Sequence, residues 1–179
     1  AVANWYRREF VREIDAWASI YDSLGETPPG NRGFLIVPYL QGVYGPYWNQ
    51  NARGVAIGLQ ADHTREHVIR GLFEGVAYES RREVELMGRA TGTTVDEIRM
   101  YGGSARSDHW NQLFADMHRT VVRVPTVTEA TALGAAMCAA VGSGMRPSFA
   151  DAVVSMTAID RIFEPREEAC DIYDRYYDK

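Results

Sequence analysis

Apolar strand patterns alternate with helical patterns through the second half of the chain, and this alternation restricts the possible folds more than any other feature. Helical periodicity and short apolar runs follow one another without a long irregular segment. Strands are predicted at 97–101, 120–124 and 159–163, and helices at 105–118, 128–143, about 148–155 and from about 166. Such alternation is typical of an α/β domain whose sheet is flanked by helices.

The first half begins with an amphipathic helix and continues with two strands. Apolar side chains with the 3.6-residue helical period define the helix, and Gly25 is its predicted C-cap; these side chains are Phe10, Ile14, Trp17, Ala18, Tyr21 and Leu24. Strands are predicted at 34–37 and 54–59 with no helix between them, so we expect a mixed sheet. A long helix follows, from Asp62-His63-Thr64 to Gly92.

Composition and charge exclude several classes of protein. The 179 residues are enough for one domain with a core, and the formal net charge is −5. Arginines and glutamates alternate between 65 and 89, which indicates a solvated helix face rather than a basic surface for nucleic acid. No apolar run reaches the roughly 18 residues of a membrane span. We therefore expect neither a nucleic-acid partner nor a membrane partner.

Two cysteines, Cys138 and Cys170, are not spaced as metal ligands. Cys138 lies in an apolar helix and is interpreted as a small core residue. Low cysteine use fits a reducing, cytoplasmic setting. His63 and His67 have the four-residue spacing of metal ligands on a helix, but nothing completes a ligand set, so hydrogen bonding at the helix start is favoured. We expect no metal site.

The most informative local pattern is Tyr101-Gly102-Gly103-Ser104, between a strand and a helix. Paired glycines let a ligand approach bare backbone, and the following helix start offers unpaired N–H groups to an anion. Ser104 and Ser107 have two interpretations, as helix caps or as ligand contacts. A tight turn without a ligand is the alternative, because the third glycine of a dinucleotide fingerprint and the lysine of a P-loop are both missing.

Three other features have a functional and a structural interpretation. The 38–53 loop is rich in aromatic residues, which either serve a function or pin the loop to the core. The 128–140 helix is rich in small residues, which indicates close packing, and Glu129 near its start indicates capping. The residues show no nucleophile–base pair. From the residues alone, the chain is a ligand-binding platform without catalytic machinery.

Taken together, the motifs resemble the C-terminal domain of the FGGY family of carbohydrate kinases. The resemblance covers nearly the whole chain, and the combined order of its motifs makes it specific. It is carried by 35–40 with Pro46-Tyr47-Trp48 and 52–54, by His63-Thr64-Arg65 with Arg70 and Glu74-Gly75, and by Gly102-Gly103-Ser104 with Trp110, Asp116 and 129–136. Tyr101, Ala56 and Gly71 depart from the usual family residues.

The resemblance implies an actin-like ATPase fold of ribonuclease H-like type. It implies that residues 1–179 are the C-terminal, nucleotide-binding domain of a two-domain kinase. It places Gly102, Gly103 and Ser104 against the nucleotide, Ser107 at a polar contact and Asn4 near the adenine. The general-base aspartate and most of the sugar site are expected in an N-terminal domain, so no catalytic residue is assigned here.

The implied activity is transfer of the γ-phosphate of ATP to a hydroxyl of a ketopentose or polyol. Mg²⁺ would be held mainly through the ATP phosphates and the other domain, and this chain alone would be inactive. The resemblance leaves a homodimer open. Two other interpretations remain: a catalytically inactive module of the same fold that senses nucleotide or sugar, and an interaction domain that binds no nucleotide.

Overall fold

The computed structural model describes residues 2–10 and 17–178. Helix α1 is Val2–Phe10 and helix α2 is Trp17–Asp22. Ile14, one of the residues that define the predicted apolar face, lies outside the described residues. A 3-10 turn at Ser23–Gly25 follows α2, so Gly25 ends a 3-10 turn rather than a long α-helix.

Helix α3, Arg65–Thr91, is the longest element, and its ends are those that the sequence predicts. At its start, a capping box pairs the Thr64 side chain with the backbone of His67, whose ring Nδ1 accepts the Thr64 N–H at 3.2 Å. At its end, Gly92 has a φ of 70°, the left-handed conformation typical of a helix C-cap. The local residues at the two ends therefore determine both boundaries of the helix.

The strands form two sheets rather than one. Strands β1 (Leu35–Val37) and β2 (Val55–Ile57) make an antiparallel pair. Strands β3 (Glu97–Arg99), β4 (Val121–Pro125) and β5 (Ile159–Phe163) have the order β3-β4-β5, with β3 parallel and β5 antiparallel to β4. The sheet is mixed as predicted, but for a different reason. Its antiparallel strand is β5, and not one of the two strands from the first half of the chain. Among the described residues β1 and β2 do not join it.

Four further helices complete the fold, and a core lies between α3, α4 and the last helix. They are α4 (Asp108–His118), α5 (Ala130–Gly142), α6 (Phe149–Met156) and α7 (Glu167–Tyr177). The largest apolar side chains that are fully buried come from several elements and meet in the core or at its edge: Tyr6, Ile20, Met117, Val122, Val124 and Tyr173. The expected α/β architecture is confirmed.

Helix α3 crosses strand β1 at very short range. A Cβ built on Gly75 would lie 2.0 Å from the backbone oxygen of Ile36, so only glycine allows this crossing. One turn earlier, a Cβ on Gly71 would meet the Asn31 amide and the Ile36 side chain at 3.2 Å. The crossing brings β1 against α3 and leaves β2 on the outside, where Val55 and Ile57 are exposed.

Two interpretations from the sequence are wrong. Cys138 is exposed rather than part of the core, because α5 is apolar around its circumference yet buries only Ala140 among the described residues. The charged face of α3 is not wholly solvated, because Arg70 and Glu74 form a buried ion pair. In both cases the partner surfaces decide burial, and local sequence does not reveal them.

The aromatic loop between β1 and β2 is only partly attached to the rest of the chain. The Tyr47 ring lies under the Arg82 guanidinium, 4.5 Å from ring centre to Cζ. Tyr44 and Trp48 instead contact each other edge to face and are 66% and 74% exposed. These two rings do not pin the loop to the core, so for them the structural interpretation of the sequence is wrong.

Candidate functional site

The paired glycines lie where β3 ends and the chain bends toward α4. Gly102 has a φ of 80° and a ψ of −169°, a region essentially restricted to glycine. Gly103 does not have a left-handed φ, and a Cβ built on it meets no described atom within 4 Å. Neither strain nor crowding by the described residues explains a glycine at position 103. Its bare backbone is open to a ligand.

Hydrogen bonds to two other segments of the same chain hold this turn in place. The Met100 N–H donates to the Arg123 carbonyl at 3.0 Å, which extends the pairing of β3 with β4. The Gly102 N–H donates to the Thr128 carbonyl at 2.8 Å, which joins the turn to the segment before α5. The N–H groups of Gly103 and Ser104 make no hydrogen bond within the described residues, so they remain available as donors.

Two side chains that the sequence did not single out hold the far side of the turn. The Ala105 carbonyl accepts hydrogen bonds from Asn111 Nδ2 at 2.8 Å and from Arg161 Nη2 at 2.9 Å. Arg161 also forms an ion pair with Asp108. Ala105 and Asn111 are fully buried, so the end of the turn is rigidly anchored. Arg161 lies 56 residues from Ala105, and no local pattern could have indicated this contact.

The start of α4 is capped by its own residues. Ser107 is the N-cap, and its Oγ accepts the Trp110 N–H at 3.2 Å. Asp108 provides a carboxylate in the first turn. The capping interpretation of Ser107 is confirmed, and an anion would meet Asp108 at this helix start. Ser104 Oγ makes no hydrogen bond within the described residues.

The small-residue helix α5 begins beside the turn and is largely uncovered. Glu129 occupies the N-cap position without a capping hydrogen bond, and its carboxylate lies 3.8 Å from the Arg106 guanidinium. A Cβ built on Gly134 meets no described atom within 4 Å. Helix α5 packs against α6 and buries Ala140, but most of its other small residues are exposed within the described part of the chain.

Asn4 forms no hydrogen bond, ion pair or ring contact with Gly103 or Ser104 within the part of the chain that the structure describes. It is exposed on α1, which is fixed to the start of α3 by a hydrogen bond of 3.0 Å from the Tyr6 hydroxyl to the Arg65 carbonyl. Its role near a base stays a prediction.

The histidine pair is structural. His63 Nδ1 accepts the Gln60 N–H at 3.0 Å, and His67 takes part in the capping box of α3.

The described ranges contain no cluster of three or more histidine, cysteine or acidic side chains that could hold a metal ion. Within those same ranges, no helix is both long and apolar enough to cross a membrane.

Comparison with known proteins gives a consistent result. The sequence model of the "FGGY family of carbohydrate kinases, C-terminal domain" matches residues 1–143. A xylulose kinase of Staphylococcus epidermidis is 32% identical over 97% of this chain and 35% of its own length. Glycerol kinase 2 of Thermotoga maritima is 34% identical over 92% of this chain and 33% of its own length.

The same similarity is found among solved structures. The crystal structure of xylulose kinase from Rhodospirillum rubrum superposes with a TM-score of 0.83 and 28% identity, over 99% of this chain and 36% of that one. The agreement confirms the expected actin-like ATPase type of α/β fold. The chain spans about a third of the length of the relatives that it matches.

Proposed function

This chain belongs to the FGGY family of carbohydrate kinases, and on that premise we propose that it is the ATP-binding half of a sugar kinase. The complete enzyme would transfer the γ-phosphate of ATP to a hydroxyl of a ketopentose or polyol. The relatives named xylulose kinase and glycerol kinase support this substrate class. Residues 1–179 would form the C-terminal domain, and an N-terminal domain would bind the sugar and supply the general base.

The observation that carries the proposal is the open backbone at Gly103. The described chain gives no conformational or steric reason for a glycine there. The adjacent N–H groups of Gly103 and Ser104 are unused within the described residues, and the turn is anchored on both sides. A rigid, bare turn of this kind suits a nucleoside that lies flat against backbone. Ser107 and Asn4 are proposed as further contacts with the nucleotide.

Exposed apolar surface on α5 and α6 supports the proposal that this chain is one part of a larger enzyme. Helix α5 buries only Ala140 among the described residues, and the neighbouring α6 leaves Phe149 and Val154 58% and 81% exposed. Contiguous apolar surface of this kind marks an interaction site. Because the chain spans about a third of its relatives, we propose that the rest of the enzyme covers part of this surface.

Phosphoryl transfer depends mainly on positioning and on neutralising charge at the phosphates. This domain would hold the adenosine and so fix where the γ-phosphate lies. As the family resemblance implies, Mg²⁺ would be held mainly through the ATP phosphates and by the N-terminal domain. Closure of the two domains would exclude water from the reacting phosphate. The isolated domain would therefore not phosphorylate sugar.

A Cβ placed at position 103 tests the proposal. We expect Gly103→Val in the full-length protein to raise the KM for ATP at least tenfold and to leave the KM for the sugar unchanged, because only the nucleotide would meet the new side chain. Gly142→Ala is the matched control, since Gly142 also has open space around it but lies at the far end of α5. Coupled ADP formation over a panel of pentuloses and polyols gives both constants.

Each result of this experiment separates the alternatives. Equal KM values for ATP in Gly103→Val and the parent protein would refute the assignment of the turn. Nucleotide binding without turnover on any sugar would identify an inactive sensing module of the same fold. A full-length protein that shows no change in melting temperature with Mg-ATP would be an interaction domain without a nucleotide.

A further inference from the structure

A cavity that is not lined by the paired glycines lies between the loop after α2 and helices α3, α4 and α7. Its volume is about 220 Å³, several times the roughly 30 Å³ that one water occupies in the liquid. Its polar lining comes from five elements of the chain: Thr27, Arg70, His109, Gln112, Arg166 and Tyr173. No aspartate or glutamate is among the described residues that line it.

The deep wall carries an unused hydroxyl. Thr27 is 7% exposed, and its Oγ1 is buried without a hydrogen-bond partner in the described structure. A buried polar atom that is left unpaired costs stability, so native proteins rarely keep one without a partner. Because Thr27 lines the cavity, a molecule in the cavity is the natural partner for this hydroxyl.

Two arginines line the cavity and provide it with N–H donors. Arg70 is 5% exposed and uses four of its five N–H groups, for Glu74, Tyr173 and the carbonyls of Leu24 and Thr27. Arg166 binds Asp116 through Nε and Nη2, and its Nη1 makes no hydrogen bond within the described residues. The carboxylates of Glu74 and Asp116 offset the charge of the two arginines from outside the lining, and the cavity itself presents N–H donors of both guanidinium groups.

We propose that this cavity binds one small oxyanion, of the size and charge of phosphate or sulfate. The fifth N–H of Arg70 and the Thr27 hydroxyl would donate to it from the deep wall, and Arg166 Nη1 would donate from the mouth. Hydrogen bonds that arginine makes to phosphate are among the strong, charge-assisted ones. The proposal rests on the cavity alone and is independent of the nucleotide assignment.

The test is calorimetric titration of the full-length protein with inorganic phosphate, at constant ionic strength. Thr27→Val keeps the shape of the side chain and removes the hydroxyl, and should weaken phosphate binding about tenfold. Thr27→Ser retains the hydroxyl and should bind within about twofold of the parent. Thr157→Val is the control, because Thr157 is the C-cap residue of α6, does not line the cavity, and donates its hydroxyl to the Val153 carbonyl. It should leave the affinity unchanged.

The empty protein supplies a second readout. Without phosphate, Thr27→Val should melt no lower than the parent, because the hydroxyl has no protein partner to lose. With phosphate, the parent and Thr27→Ser should gain more in melting temperature than Thr27→Val. Sulfate should reproduce this pattern, and chloride should not. Glycerol phosphate in place of inorganic phosphate distinguishes a metabolite's phosphate group from the free anion.

Two results would overturn the proposal. No binding heat with millimolar phosphate or sulfate would mean that the cavity holds water only. Phosphate binding that is equally strong in Thr27→Val and in the parent would place the anion elsewhere on the protein.

Discussion

Arg70 and Glu74 stand one turn apart on α3 and form a buried ion pair, with Nε 2.7 Å from Oε1 and side chains 6% and 0% exposed. Glu74 also accepts the Gly30 N–H at 3.0 Å, and Arg70 donates to the Tyr173 hydroxyl at 2.8 Å. The pair thus joins α3 to the loop before β1 and to α7. Such pairs contribute little net stability, but breaking one leaves a charge buried without compensation.

We therefore expect Glu74→Gln or Arg70→Met to lower the free energy of unfolding by about 3–5 kcal/mol. The double replacement Arg70→Met with Glu74→Leu should cost less than either single one, because no buried charge remains. Urea denaturation of the full-length protein measures these differences. Arg89→Met is the control on the same helix; Arg89 is 77% exposed and should cost no more than about 0.5 kcal/mol. A single replacement as mild as this control would contradict the prediction.

The crossing of α3 over β1 predicts opposite tolerances at two glycines on one helix. Gly75→Ala forces a Cβ to within 2.0 Å of the Ile36 carbonyl oxygen, and should destabilise the protein by about 3 kcal/mol. Gly71→Ala meets side chains at 3.2 Å, and alanine gains about 1 kcal/mol in helix propensity, so its net effect should be within about 1 kcal/mol of zero. Equal melting temperatures for the two variants would show that the strand can move away.

His118 predicts a loss of stability in mild acid. Burial and the nearby Arg81 lower the pKa of His118 from 6.5 to about 4, although Glu85 opposes the shift. The unfolded chain then takes up a proton between pH 6.5 and about 4 that the folded chain does not. Stability from this group is fully present above pH 6.5 and is lost as the pH falls to about 4, by about 2–3 kcal/mol.

The measurement is the free energy of unfolding of the parent and of His118→Gln at several pH values. The difference between them should change over this window and level off below pH 4. A parallel pH dependence for the parent and His118→Gln would contradict the prediction.

Arg161 is predicted to position the turn that contains Gly102 and Gly103. Its Nη2 donates to the Ala105 carbonyl at 2.9 Å, and it pairs with Asp108 at the start of α4. If the turn binds ATP, Arg161→Met should raise the KM for ATP several-fold and leave the KM for the sugar unchanged. Arg161→Lys should restore part of the loss. Arg175→Met on α7 is the control, and a fall in kcat with no change in the KM for ATP would argue against positioning.

The structure also shows which parts of the fold are readable in the sequence. Thr64 and Gly92 act on the chain next to them, so the pattern predicts both ends of α3. The open turn at Gly103 was likewise visible as paired glycines after a strand. The anchor of that turn was not, because Arg161 and Ala105 meet only through the fold.

The burial of individual side chains is the other property that the local sequence does not predict. The spacing of Arg70 and Glu74 is that of an exposed helix pair, and only the packing of α7 and the loop before β1 encloses it. Cys138 shows the reverse case, since an apolar helix suggests burial and the described chain provides no cover for it. In each case the deciding surface comes from a segment distant in the chain.

Sequence similarity to the family model ends at residue 143, but the folding unit does not. The segment beyond supplies β5, which pairs with β4, and Arg166, which binds the fully buried Asp116. It also supplies Tyr173, which contacts Arg70. A gene fusion or domain exchange cut at residue 143 would separate these partners. The unit that can be transferred between proteins without loss of its internal contacts is therefore longer than the segment that the family model matches.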